Sequence, residues 1–169
     1  MRIKNTIIGV GPLLVVGIAA TTAATLLGHY YQVLPTFPTP EALETYPALR
    51  TVARVLALIV FIEGITLWSY AVIWGKFTTR FRSGELMDTG AYALVRHPIY
   101  SAFFSVCSAA LIWPANLWAA AVIALNWAIM TVVLKCTEER WCLERFGESY
   151  REYCKKTPRL LPRPRAGRR

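Results

Sequence analysis

The sequence predicts an all-α integral membrane protein with about four transmembrane helices, the last two a tight helical hairpin, followed by a cytosolic C-terminal helical tail. Three observations carry this. Hydrophobic residues make up 55% of the 169-residue chain and mean hydropathy is +0.38, more apolar than an ordinary soluble domain. Four stretches, 6–27, 52–75, 99–113 and 117–134, are nearly free of charge at their centres. Lys and Arg, finally, are dense in alternate connections and sparse in the others.

The first two stretches are long enough to cross about 30 Å of hydrocarbon at ~1.5 Å rise per residue. The apolar run at 6–27 is also longer than the core of a cleavable signal, and no small-x-small cleavage site follows it, so it is expected to stay. The stretches at 99–113 and 117–134 are shorter, and only Pro114, Ala115 and Asn116 join them. So short a link suits an antiparallel hairpin, in which each helix satisfies its own backbone polar groups as lipid requires. Length alone leaves a second reading open for this pair, a buried hairpin of a soluble core.

Net charge is +9, from nineteen Lys and Arg against ten Asp and Glu. Arg2 and Lys4 precede the first stretch; Arg50 follows it, and Arg54 lies just inside the second. Lys76, Arg80, Arg82 and Arg96 lie between the second and third, and eleven more run from Lys135 to the end. That alternation is the positive-inside pattern and puts both termini and the 76–98 connection in the cytosol. The basic end, 163–169, lacks aromatic residues for base stacking; it reads as a segment held to anionic lipid headgroups or as a disordered tail, and no nucleic-acid partner is expected. The whole chain, 1–169, reads as a single domain with 135–162 as its cytosolic tail.

Between the first two stretches, His29, Tyr30 and Tyr31 form an aromatic belt and Pro35, Pro38 and Pro40 punctuate an outer loop, with a short helical turn expected at 41–46. Glu63 falls in the middle of the second stretch, where a carboxylate is costly; it reads either as a functional group or as an acid hydrogen-bonded to Thr66 or Asn126. The four cysteines lack the close spacing of a zinc or redox site, so neither metal nor disulfide is expected. Gly9, Gly11 and Gly17 lack the four-residue spacing of a helix-dimer motif.

The residues with chemical potential gather around the hairpin. Arg96-His97-Pro98-Ile99-Tyr100 ends the cytosolic loop: Pro98 suits a first helical turn, and His97 before it is pushed out of helical geometry. Arg96 and His97 thus stand beside a helix N-terminus, whose free N–H groups favour a carboxylate or phosphate. After the fourth stretch, one long helix is expected to continue through Glu138, Glu139 and Arg145 to Gly147, a residue suited to ending helices. Tyr150 and Tyr153 then share a helical face, and 157–162 breaks helix and returns towards apolar surroundings. By charge alone, Glu138 and Glu139 read as a solvated face paired with Arg140 or Arg145.

Taken together, the order Arg96-His97-Pro98-x-Tyr100, hairpin, Glu138-Glu139, Leu143, Phe146-Gly147, Tyr150, Tyr153, Arg159 and Pro162 resembles the isoprenylcysteine carboxyl methyltransferase family. It is similar, more loosely, to the phospholipid N-methyltransferases. The resemblance covers 90–162. It implies an S-adenosylmethionine-dependent enzyme, its cofactor lined by Arg96, His97, Pro98 and Tyr100 on one side, by Glu138 and Glu139 on the other, and closed by Tyr150 and Tyr153. Carboxylates and aromatic faces suit a sulfonium and an ammonium, and a helix N-terminus suits the cofactor's carboxylate. Glu139, Arg159 and Arg145 become the candidates for catalysis, the two guanidiniums by orienting an acidic, lipophilic acceptor that enters from the bilayer. An isoprenylcysteine-like or isoprenoid acid is the expected acceptor; a phospholipid amine or a thiol are alternatives. Direct transfer needs alignment rather than a metal or a covalent enzyme intermediate. Part of the tail is also similar to NADPH-dependent sterol reductases, and a non-catalytic membrane scaffold is a third reading.

Overall fold

The computed structural model describes residues 11–74 and 85–162. The expectations that fall on 1–10, on Lys76, Arg80 and Arg82, and on the basic end lie outside these residues. Among the described residues all regular structure is helical. Helix α1 is Gly11–Tyr30, α2 Pro40–Thr45 and α3 Pro47–Ser69, whose last turn widens over Tyr70–Trp74. Then come α4 (Ala91–Leu94), α5 (Pro98–Ile112), α6 (Trp118–Cys136), α7 (Glu138–Phe146) and α8 (Glu148–Lys156).

Among the described residues, three helices are long and apolar enough to cross a membrane: α1, α3 with its widened end, and the run Trp118–Phe146. In that run the apolar part is α6; α7 carries Glu138, Glu139, Arg140, Glu144 and Arg145 and lies beyond it. The expected third span, 99–113, appears as α5, a helix of 15 residues that reaches only ~22 Å at 1.5 Å per residue. The three-residue link expected after it sits between α5 and α6, where Asn116 Oδ1 accepts from the Trp118 and Phe37 amides and its Nδ2 donates to the Pro35 carbonyl. The hairpin turn is thereby tied to the α1–α2 connection. Thr39 caps α2 by accepting from the Ala42 amide, and α3 starts directly at Pro47, as the prolines in this stretch suggest.

Short as it is, α5 is the centre of the bundle. Ser101, Ala102, Ser105, Ser108 and Ala109 are all buried, and residues this small let neighbouring backbones come close. Gly64 of α3 exploits this: a Cβ there would sit 2.9 Å from the Ala102 carbonyl oxygen and 3.1 Å from Ser105 Cβ. Gly64→Ala is accordingly expected to push α3 off α5 and destabilise the protein by about 1–3 kcal/mol, read as a lowered thermal midpoint in detergent. An unchanged midpoint would show that the two helices do not meet there.

One core cluster joins Leu14 and Ile18 of α1, Phe104 and Cys107 of α5, Met130 and Leu134 of α6, and Leu160 from the far end of the chain. Glu63 lies on an exposed face of α3, and Asn126 is engaged with Thr21 instead. Of the readings open for Glu63, the bond to Asn126 therefore does not form. Glu63 stands beside Gly64 but points away from the α5 side.

The continuous helix expected from the fourth span to Gly147 is broken at Thr137, whose φ of −118° and ψ of −80° leave the helical region. The Thr137 hydroxyl donates to the Val133 carbonyl at 2.6 Å, a back-bond that helices accommodate by bending. The break re-aims α7, and Glu138 and Glu139 become its first turn. Gly147 ends α7 as expected, with φ 55° and ψ −123°, a conformation only glycine adopts without strain.

Candidate functional site

The site forms where three segments converge: the N-terminus of α5, the first turn of α7, and the stretch after α8. Val95 is fully extended, His97 is non-helical at φ −125° and ψ 64°, and Pro98 opens α5. This leaves the Arg96 and His97 amides free of the helix, and the returning chain takes them. Arg96 N donates to the Pro158 carbonyl at 2.8 Å and His97 N to the Arg159 carbonyl at 3.2 Å. Ser101 Oγ lies 2.7 Å from the Leu160 carbonyl oxygen. Residues 158–160 therefore run as a strap across the start of α5, with the Leu160 side chain set into the core cluster.

At the centre of the convergence is Glu139, 8% exposed. Arg159 grips it with a fork, Nε to Oε1 at 2.7 Å and Nη2 to Oε2 at 2.8 Å. Arg96 Nη2 and His97 Nε2 each approach Oε1 at 3.3 Å. Burial pushes the Glu139 carboxyl up, but hydrogen bonds from His97 and Arg159 and the charges of Arg96 and Arg159 outweigh it. The carboxyl ends well below the usual range, at about 2.

Glu138 is more open. Its carboxylate accepts from the Tyr100 hydroxyl and lies 3.7 Å from His97 Nδ1. The imidazole is thus placed between the two acids, one ring nitrogen towards each. Tyr150 and Tyr153 are both buried, with ring centroids 6.0 Å apart, and the Tyr153 hydroxyl donates to the Tyr92 carbonyl at 2.5 Å. Burial, above all, holds both phenols neutral, with the negative charge of Glu139 adding to it at Tyr150.

Of the residues named from the sequence, Arg96, His97, Pro98, Tyr100, Glu138, Glu139 and Arg159 come together here, with Tyr150 and Tyr153 packed on α8 alongside. Arg145 is placed differently: it is exposed, its guanidinium 5.4 Å from the Trp141 ring centroid and 5.6 Å from that of Phe146. Four contributors escaped the sequence reading. Ser101, Thr137 and Tyr92 act through backbone carbonyls, for which a sequence carries no mark. Cys154 Sγ, which accepts from Arg96 Nη1, had only the spacing Tyr153-Cys154 to point to it.

The donor set fits a zwitterionic guest such as the amino-acid end of S-adenosylmethionine. Arg96 Nε is buried with no hydrogen-bond partner among the described residues, an orphan donor that an added carboxylate would satisfy. Glu138, partly open, offers a carboxylate to a cation, and Tyr100 and Tyr150 supply aromatic faces beside it.

The sequence pattern of the phospholipid methyltransferase family matches residues 51–149, more than half of the chain. It takes in α3 from Thr51 onwards, the hairpin, Arg96 through Tyr100 and the paired acids, and stops just before Tyr150. Among curated proteins, the chain is 28% identical over 101 residues to the nickel-cobalt-cadmium resistance protein NccN of Alcaligenes xylosoxydans xylosoxydans, covering 59% of this chain and 47% of that one. It is 30% identical over 106 residues to the cobalt-zinc-cadmium resistance protein CzcN of Cupriavidus metallidurans, covering 59% and 46%. The chain thus spans about half the length of the curated relatives it matches. No solved structure matches it. With the family pattern laid over the helices that build the site, this chain belongs to the phospholipid methyltransferase family, within the isoprenylcysteine carboxyl methyltransferase-like group of membrane methyltransferases.

Proposed function

We propose that this protein transfers a methyl group from S-adenosylmethionine to a lipophilic acceptor in the membrane, by carboxyl O-methylation of an isoprenylcysteine-like or isoprenoid acid. The observation that carries the reading is the meeting of His97 with both acids, one ring nitrogen towards each, inside the stretch that matches the family. Arg96, His97, Pro98 and Tyr100 would hold the cofactor from the α5 side, Glu138 and Glu139 from the α7 side, and Tyr150 and Tyr153 would close it. The bound cofactor supplies a methyl group already activated on a sulfonium.

What the chain adds is placement and dryness. Arg96 Nε anchors a carboxylate, Glu138 faces a cation, and Glu139 keeps Arg96, His97 and Arg159 in one arrangement. Arg159, whose Nη1 lies outside its fork onto Glu139, and after it Arg145, is the group proposed to orient an acidic acceptor by a charge-assisted hydrogen bond. A carboxylate nucleophile is already charged and needs no general base, in keeping with a site built for alignment. The Lys and Arg distribution supports a cytosolic position for this site, with both termini on the same side.

Purified protein in detergent should be protected against thermal unfolding by S-adenosylhomocysteine and not by NADPH. Protection by NADPH alone would replace methyl transfer with the reductase reading. Incubating membrane extracts with deuteromethyl-labelled cofactor, with and without the protein, then reads the acceptor by mass spectrometry; label on a phospholipid amine or a thiol would overturn the carboxylate assignment.

A further inference from the structure

A groove of about 280 Å³ runs between α1 and α6, walled by Leu13, Leu14, Ile18, Ile129 and Val133. Gly17 also lines it, and a Cβ built there meets nothing within 4 Å, so the space beside it is open. One end adjoins the site. A Cβ on Gly11 would collide with the Tyr100 hydroxyl, the same hydroxyl that bonds Glu138, and Val133 lies one turn before the break at Thr137. Towards the other end lie Thr21 and Asn126, the polar residues of an otherwise apolar lining.

Those two do not satisfy each other. The Thr21 hydroxyl has one proton and two neighbours in reach, the Ile18 carbonyl and the Asn126 side-chain amide, each at 3.0 Å. Whichever way round the amide sits, one of its ends meets Thr21 and the other has no hydrogen-bond partner among the described residues. Asn126 is 3% exposed and sits near the middle of α6. An unpaired amide in such apolar surroundings is costly, and this one lines the groove.

We propose that the groove seats a single slender chain of the methyl acceptor, and that Asn126 is a specificity-determining residue that pairs with a hydrogen-bonding group carried on that chain. The proposal rests on the methyltransferase reading for calling the occupant an acceptor. Dimensions select the class. The groove's lining is one face of α1 set against one face of α6, a single lane that suits one chain. From Gly11 to Thr21 the helix rises about 15 Å. At ~1.2 Å per bond for an extended chain, that is about a dozen bonds.

Dodecanoate and 12-hydroxydodecanoate are the probes, titrated by calorimetry into the full-length protein in nanodiscs, alongside S-adenosylhomocysteine. The hydroxylated probe is expected to bind about fivefold more tightly, the difference one buried hydrogen bond makes. Asn126→Leu should bring the two probes to equal affinity. Gly17→Leu fills open space and improves helix propensity, so it should fold normally and weaken both probes at least tenfold. Neither variant should alter affinity for S-adenosylhomocysteine. Equal affinity of the two probes for the unaltered protein, or unchanged binding in Gly17→Leu, would overturn the proposal, and a bound water on Asn126 would then be its partner. Should the probes behave as expected while S-adenosylhomocysteine fails to bind, the groove stands as a lipid site and the methyltransferase reading falls; the reverse result removes the groove alone.

Discussion

Glu139→Gln is expected to lower affinity for S-adenosylhomocysteine at least 100-fold, measured by calorimetry on the detergent-purified protein. The substitution barely changes shape, so its effect is the charge. Two guanidiniums and an imidazole converge on this carboxylate, and without it Arg96 and Arg159 face one another with no counter-charge between them. Breaking a buried ion pair by removing one partner costs about 3–5 kcal/mol. The carboxyl itself gives a similar size: its drop from 4.5 to about 2 corresponds to about 3 kcal/mol of preference for the ionised form. The sign follows. A group whose folded value is depressed contributes stability that is complete above its unfolded value and disappears as pH falls through the folded one, so this contribution is intact above about pH 4.5 and is lost towards pH 2. Near neutrality only substitution removes it. Wild-type affinity in Glu139→Gln would mean that the acid does not organise the cofactor site.

Why Glu139 was visible in the sequence, and much of its setting was not, has a physical cause. The helices follow from hydropathy: α1, α3, α5 and α6 cover the described parts of the four apolar stretches, and three of them are long enough to cross a membrane, because burial in lipid is encoded residue by residue. Pro98 and Gly147 mark real boundaries for the same local reason, fixed φ in one and permitted positive φ in the other. The order of His97, Glu138 and Glu139 around a hairpin carried the family. By contrast, the break at Thr137 depends on a hydroxyl choosing its own helix's carbonyl, a competition that an apolar run conceals. The length of α5 misleads in another way: it reads as a marginal span, whereas its small residues make it the most enclosed of the described helices. Arg145 and Arg159 show the limit most sharply. Both were plausible partners for an acid by type and position, yet one stacks on aromatic rings at the surface and the other forks onto Glu139, and only the path of the chain after α8 separates them.

That path makes Leu160 the site's remote support, and Leu160→Ala the second large effect. Leu160 is 3% exposed among Leu14, Ile18, Phe104, Cys107, Met130 and Leu134, and truncating a buried leucine costs about 2–5 kcal/mol. Here the loss falls on a short segment whose other ties are the backbone bonds from Arg96 and His97, the Ser101 contact and the Arg159 fork onto Glu139. Releasing the strap withdraws Arg159 from Glu139 and frees the two amides that define the start of α5. The amide protons of Arg96 and His97 should therefore exchange with solvent much faster in Leu160→Ala, together with a loss of affinity for S-adenosylhomocysteine of tenfold or more. Leu160→Met, which keeps the volume, should stay close to wild type in both measurements. If Leu160→Ala lowers affinity while the Arg96 and His97 amides remain as protected as before, the strap is not what holds the site together, and the effect must come from the core that α1, α5 and α6 share.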